Sequence, residues 1–251
     1  MPDFSVGTIL SRSFSTFFKH PFVFIGLSIL AQTPIVVTLL LVLNSTLEFW
    51  SLLIIGTTLT IFMQVFIQGA TFIGVYEVFR GNSARFGKAL SHMIRTLPAT
   101  SGAFLAFIFI TMIAVPGIFL DEGHTVAHIL ANTMVVIAMC LFLKLCLIIP
   151  ICVAERLGPI ETIRRAAELT KDFLWKIVCI YLVVGTIGVV FIWGIHFALM
   201  FFMDEFNTII FGYFFRSIPM AFINIATAVI YFELRSAKEG ISIENLAHVF
   251  D

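Results

Sequence analysis

The sequence predicts an all-α fold: a polytopic membrane protein with six transmembrane helices and interfacial amphipathic helices between them. Three observations carry that reading. Hydrophobic residues make up 60% of the 251 positions and charged residues 12%, with mean hydropathy +1.06, where a soluble domain has roughly 25% charged residues. Six apolar stretches, over 22–42, 51–75, 101–120, 127–153, 177–202 and 209–232, approach or exceed the roughly 20 residues a helix needs to cross hydrocarbon. Lysine and arginine gather in alternate gaps between those stretches. Helices follow because a lipid-facing segment must satisfy its backbone polar groups within itself, and the runs are too long and too uniformly apolar for barrel strands.

The chain opens with Val6, Leu10, Phe14 and Phe17 at helical spacing, an amphipathic stretch carrying Arg12 and Lys19. Span one follows, interrupted late by Pro34; it is too long for a signal peptide and lacks a small-residue cleavage signature, so it is expected to be retained. Glu48 alone charges the next gap. Span two carries Gln64 and Gln68 and ends in Glu77, Arg80 and Gly81. A second amphipathic stretch sets Phe86, Leu90, Met93 and Leu97 against Arg85, Lys88, His92 and Arg95.

Span three holds Pro116 and gives way to Asp121 and Glu122, with His124 and His128 one helical turn apart. A hydrated helix start with acids at its positive end is the plain reading of that group, and no metal is assigned to it. Span four carries Lys144 and Pro150 and ends in Glu155, Arg156 and Gly158. The third amphipathic stretch places Ile160, Ile163, Ala167 and Leu174 opposite Glu161, Arg164, Arg165, Glu168 and Lys171. Span five contains His196. Asp204 and Glu205 charge the last gap, and span six runs past Arg216, Pro219 and Asn224 to Glu233, Arg235 and Gly240.

Lys and Arg are retained on the cytoplasmic side during insertion, so the alternation sets both termini in the cytoplasm. The formal net charge of zero conceals this polarity. It points to anionic headgroups at one membrane face and not to nucleic acid. Cys140, Cys146, Cys152 and Cys179 all fall in or beside spans, where they read as small apolar packing residues.

The chain reads as one transmembrane domain over 1–251 that divides into three tandem helix-hairpin repeats, 4–81, 82–158 and 159–240. Each unit is an amphipathic helix, an outward span, a short acidic gap and an inward span. Counting back from the terminal arginine of each inward span, Gln68 lies twelve before Arg80, Lys144 twelve before Arg156 and Asn224 eleven before Arg235. A lysine inside a span costs about 2.5–3.5 kcal/mol unless it pairs, lines water or snorkels. Gln64, Gln68, Lys144 and Asn224 are therefore the candidate polar pathway or ligand site. The bland alternative has the amides joining helices by hydrogen bonds and Lys144 reaching toward the inner interface.

No catalytic residue, metal site or cofactor is assigned. The chain has no Gly-rich phosphate loop with lysine, no G-x-S-x-G elbow, no H-E-x-x-H and no cysteine pairs at zinc spacing.

The segment VAERLGPIETIRRAAELTKDFLWKI (153–177) resembles the region of YciC-like bacterial membrane proteins where an acid, a Gly-centred turn and an Arg-bearing helix follow a span. That family is related to the membrane domain appended to some glycerophosphodiester phosphodiesterases. Pro116-Gly117 resembles its Pro-Gly, YFELRSAKEG (231–240) its terminal span exit, and FSVGTILSRSFSTFF (4–18) its N-terminal helix. The sequence departs from the pattern in the short gap between Pro116 and span four, and it carries no phosphodiesterase domain. The resemblance implies six spans and a link to phospholipid or envelope chemistry, and it carries over no catalytic residue.

Together these readings lead to the expectation of a non-enzymatic protein of the bacterial inner membrane. It would engage anionic phospholipids through Arg85, Arg95, Arg164 and Arg165, in lipid handling or envelope homeostasis, with a membrane protein as a further partner. A small transporter or channel is the second expectation and an intramembrane lipid-acting enzyme the third.

Overall fold

The structure is a computed structural model that describes residues 4–44, 49–114, 133–134, 136–137, 140–141, 143 and 146–240. Among these it is all-helical, with eight helices: α1 (Val6–Lys19), α2 (Pro21–Asn44), α3 (Phe49–Phe79), α4 (Phe86–Ala114), α5 (Ile148–Glu155), α6 (Pro159–Thr170), α7 (Leu174–Met200) and α8 (Glu205–Glu239). Four are long and apolar enough to cross a membrane, over Pro21–Val42, Ile54–Phe79, Leu174–Met200 and Ile210–Glu239. They correspond to spans one, two, five and six. Of span three, α4 carries 101–114; of span four, α5 carries the C-terminal end; between them only 133–134, 136–137, 140–141, 143 and 146–147 are described, and Pro116, Asp121, Glu122, His124 and His128 lie outside the described residues. Glu48 and Lys144 also lie outside them.

The helices α3 and α8 are longer than the hydrocarbon is thick. At 1.5 Å per residue, α3 and α8 reach about 46 Å and about 52 Å, against about 30 Å of apolar bilayer. Their C-terminal ends are supported by side chains at i and i+4: Arg80 donates to Tyr76 and Arg235 to Glu239. On α7, the exposed Trp175 and Trp193 are separated by about 27 Å of helix, close to the spacing of the two interfacial aromatic belts.

The helices α3, α5 and α8 pack against one another in the middle of the bundle. Phe72 on α3 stacks on Phe232 of α8 at 5.1 Å and meets Tyr231 edge-on at 5.5 Å. The helix α8 is 72% buried in its apolar window and α7 only 22%, which makes α8 the central post and α7 a peripheral, lipid-facing one. The helix α2 lies in the groove between α3 and α8. Close approach of α3 to α4 depends on Gly69, where a Cβ would run into the Met93 side chain.

One departure from the expected plan concerns the second amphipathic stretch. It does not lie apart from span three; α4 runs unbroken from Phe86 to Ala114, because helical hydrogen bonding continues from the polar start into the apolar run. Another concerns Leu174, grouped by periodicity with Ile160 and Ile163. It belongs to α7, since the turn at Lys171–Phe173 ends α6 at Thr170.

The amphipathic helices grip the bundle by a narrow seam. In α1 the buried residues are Ile9, Ser13, Thr16 and Phe17; in α6 they are Thr162, Ala166, Leu169 and Thr170, with identical spacing. In α4 the corresponding seam holds Ala89 and Met93. Small side chains let helix approach helix, and the larger apolar residues Phe18, Ile94, Ile160 and Ile163 are left on the outside.

Candidate functional site

The site grows from three glutamates. Glu77, Glu155 and Glu233 recur at intervals of 78 residues (155 − 77 and 233 − 155) toward the C-terminal ends of α3, α5 and α8, Glu77 and Glu155 in the last turn and Glu233 nearly two turns before Glu239. Just beyond the end of each of these helices the chain takes a left-handed turn, at Gly81 (φ 78°), Arg156 (φ 51°) and Gly240 (φ 67°), a conformation that terminates a helix and favours glycine. Each carboxylate then binds a cation on an amphipathic helix. Lys88 Nζ of α4 lies 2.9 Å from Glu77, Arg165 Nε of α6 donates to Glu155 at 3.1 Å, and Arg12 of α1 donates to Glu233. In two cases the helix follows its glutamate in sequence. In the third, the first helix closes onto the last glutamate across the whole chain.

Around Glu155 the pairing becomes a ring. Arg165 also reaches Glu239; Glu239 accepts from Arg235 Nε at 2.7 Å; Arg235 donates to Tyr231 Oη at 3.0 Å; and Tyr231 donates to Glu155 at 3.0 Å. Nearby, Lys238 Nζ lies 2.7 Å from Asp172 and donates to the Glu168 carbonyl at 2.5 Å. The Lys238 ammonium beside Asp172 holds that carboxyl below its ordinary range. The α6 and α8 end of the protein is thus a charge-balanced lattice that fastens α6 down.

The α3–α4 turn is different. Glu77, Asn82, Ser83, Arg85 and Lys88 line an open cleft of about 270 Å³. Asn82 Nδ2 donates to Glu77 at 3.1 Å. Partial burial, and then the guanidinium groups of Arg156 and Arg95, lower the pKa of His92, with Lys88 adding to them and Glu77 opposing them.

Within the membrane, Gln64 Nε2 of α3 donates to Asn224 Oδ1 of α8 at 3.5 Å, and Asn224 Nδ2 is buried with no hydrogen-bond partner among the described residues. Gln68, one turn inward of Gln64, is half-buried. The pair brought together is therefore Gln64 with Asn224, and Lys144 lies outside the described residues.

Of the headgroup candidates, Arg85, Arg95 and Arg164 are exposed, Arg164 pairing with Glu168 at 2.9 Å. Arg165 is half-buried and engaged by Glu155 and Glu239, so its charge is directed inward. Tyr231 and Glu239 escaped the sequence reading. Their signal was the i, i+4 ladder Tyr231, Arg235, Glu239 on one face of an otherwise apolar helix. The four cysteines are free, Cys146 and Cys152 buried. Among the described residues no three His, Cys, Asp or Glu side chains are grouped to hold a metal ion. No protein-family model, curated protein or solved structure matches the chain.

Proposed function

We propose that this chain is a six-span, non-enzymatic protein of the bacterial inner membrane with both termini cytoplasmic, built from three tandem hairpin units. Its interfacial helices engage anionic phospholipid headgroups, in lipid handling or envelope homeostasis. One observation carries the reading: the interfacial helices present exposed cations and exposed large apolar side chains together. On α6, Arg164 (82% exposed) stands beside Ile160 (83% exposed) and Ile163. On α4, Arg95 stands beside the exposed Ile94. An interfacial helix needs both, the apolar groups dipping into the acyl boundary while cations meet phosphates. The pairing of each amphipathic helix with an evenly spaced glutamate supports the threefold division, and the resemblance to YciC-like proteins supports the link to lipid.

The experiment is lipid retention. The detergent-purified protein is expected to keep anionic phospholipid through washing, and the triple substitution Arg85→Gln, Arg95→Gln, Arg164→Gln to lose most of it as salt rises. Equal retention of zwitterionic and anionic lipid by both proteins would count decisively against the proposal.

A second reading, a small transporter or channel, draws on the Gln64–Asn224 contact and the unpartnered amide of Asn224. Flux into liposomes that disappears in Asn224→Leu and survives Arg164→Gln would favour it. Absence of flux in the native protein would end it.

A further inference from the structure

Cations are distributed unequally around the cytoplasmic rim. On the α6 and α8 side, Arg12, Arg164, Arg165, Arg235 and Lys238 each face a carboxylate. At the α3–α4 turn, Glu77 is the one carboxylate lining a cleft that also presents Arg85 and Lys88, and His92 and Arg95 follow on α4. Positive potential is therefore concentrated where there is also a cavity.

The cleft suits a particular shape of anion. Its volume of about 270 Å³ lies just under the roughly 300–1,000 Å³ of small-molecule pockets, enough for a headgroup and too small for a whole lipid. Arg85 immediately precedes α4, so the cleft lies beside the start of that helix, whose first amides have no intrahelical acceptor and carry the positive end of its dipole. Ser83 adds a hydroxyl. Glu77, almost completely buried, holds Lys88 at 2.9 Å and Asn82 at 3.1 Å, fixing two donors in advance and reducing the ordering cost of binding.

Position along the membrane normal supplies the source. Phe86, next to Arg85, lies against Gly26 of α2, and Phe22 at the start of that same span is 89% exposed. The cleft thus adjoins the first turns of α2, whose exposed aromatic surface is available to acyl chains.

We propose that the Glu77, Asn82, Ser83, Arg85, Lys88 cleft is a phosphate site that holds the headgroup of one anionic inner-leaflet phospholipid. Arg85 and Lys88 supply the charge, Ser83 and the first amides of α4 the remaining hydrogen bonds, and Glu77 positions the donors. The inference rests on the lipid-engaging reading and adds to it a single saturable site.

The test is calorimetric titration of the whole chain, in zwitterionic detergent, with short-chain phosphatidic acid and separately with inorganic phosphate. Saturable binding of one phosphatidic acid per chain is expected. Arg85→Gln should weaken it about tenfold, the scale of one charge-assisted hydrogen bond. Glu77→Gln, which frees the Lys88 ammonium that the carboxylate positions, should weaken it as well, and Arg164→Gln should leave it within about twofold. Circular dichroism checks that each variant is folded. Tighter binding of the lipid than of inorganic phosphate assigns the site to the bilayer; equal affinities, both lost in Arg85→Gln, assign it to a soluble phosphoester. Non-saturable uptake, or titrations indifferent to Arg85→Gln and Glu77→Gln, would overturn the site. If lipid retention still depends on Arg95 and Arg164 in that event, the broader reading survives without it; if the site binds while retention shows no headgroup preference, the broader reading falls alone.

Discussion

The hydroxyl of Tyr231 donates to Glu155 at 3.0 Å, joining the C-terminal part of α8 to the last residue of α5. That bond closes the ring running through Arg165, Glu239 and Arg235. Each member has two partners, so the low dielectric of the buried end strengthens the network and does not penalise it.

Tyr231→Phe should destabilise the protein by about 1–3 kcal/mol, because it removes one hydroxyl and leaves both Glu155 and Arg235 short of a partner. Denaturant unfolding in detergent micelles measures this. An unchanged midpoint would mean that the ring contributes nothing to stability.

The Arg12–Glu233 pair should respond asymmetrically. Arg12 is 44% exposed and Glu233 8%, so Glu233→Gln releases an arginine into water, whereas Arg12→Gln strands a buried carboxylate. Solvent screening limits the pair itself to about 1 kcal/mol or less. Arg12→Gln should therefore be the more damaging change, and amide exchange should quicken in α1 while α3 keeps its protection. Uniform loss of protection across the bundle would contradict a local latch.

Stability should fall on mild acidification. Burial and the neighbouring Arg156 and Arg95 lower the pKa of His92 in the folded protein, so below the ordinary histidine value of about 6.5 the unfolded chain binds more protons than the folded one. Stability then rises with pH across the window from the folded pKa up to about 6.5 and is flat above it with respect to this group. Comparing unfolding midpoints of the native protein and His92→Gln from pH 5 to 8 isolates the effect, and the variant should show the shallower slope.

Arg156 occupies the left-handed position that Gly81 and Gly240 hold after the other two inward helices. Arg156→Gly should stabilise the fold by about 0.5–1 kcal/mol at pH 8, the relief of a strained φ less the extra entropy of glycine. It should also raise the pKa of His92, readable from the imidazole proton shifts, because one repelling guanidinium is gone. A destabilised Arg156→Gly would point to a tertiary role for the guanidinium.

How much of the site could be read in advance depended on whether a local rule governed each part. The acid, arginine and glycine that close every inward helix are a local pattern, and so is the segregation of Phe86 and Ile160 from Arg85 and Arg164. Which arginine stays exposed is not. Arg164 and Arg165 are chain neighbours on one helix, yet one is exposed and the other turned toward Glu155 and Glu239, because the rotation of α6 is set by the seam of Thr162, Ala166 and Leu169 against the bundle.

The amino-acid order alone dictates helices, their apolar length and the segregation of charge, since hydrogen-bond satisfaction in lipid and the retention of cations at one face act on each segment independently of the others. Packing in three dimensions chose what those rules leave open. It paired Gln64, one turn from Gln68, with Asn224, because the axial offset between two long helices is settled by the stacking of Phe72 on Phe232. It also brought Arg12 to Glu233. No local signal encodes a contact between residues so far apart in the chain; it forms because the first helix fills the place beside α8 that a following helix fills beside α3 and α5.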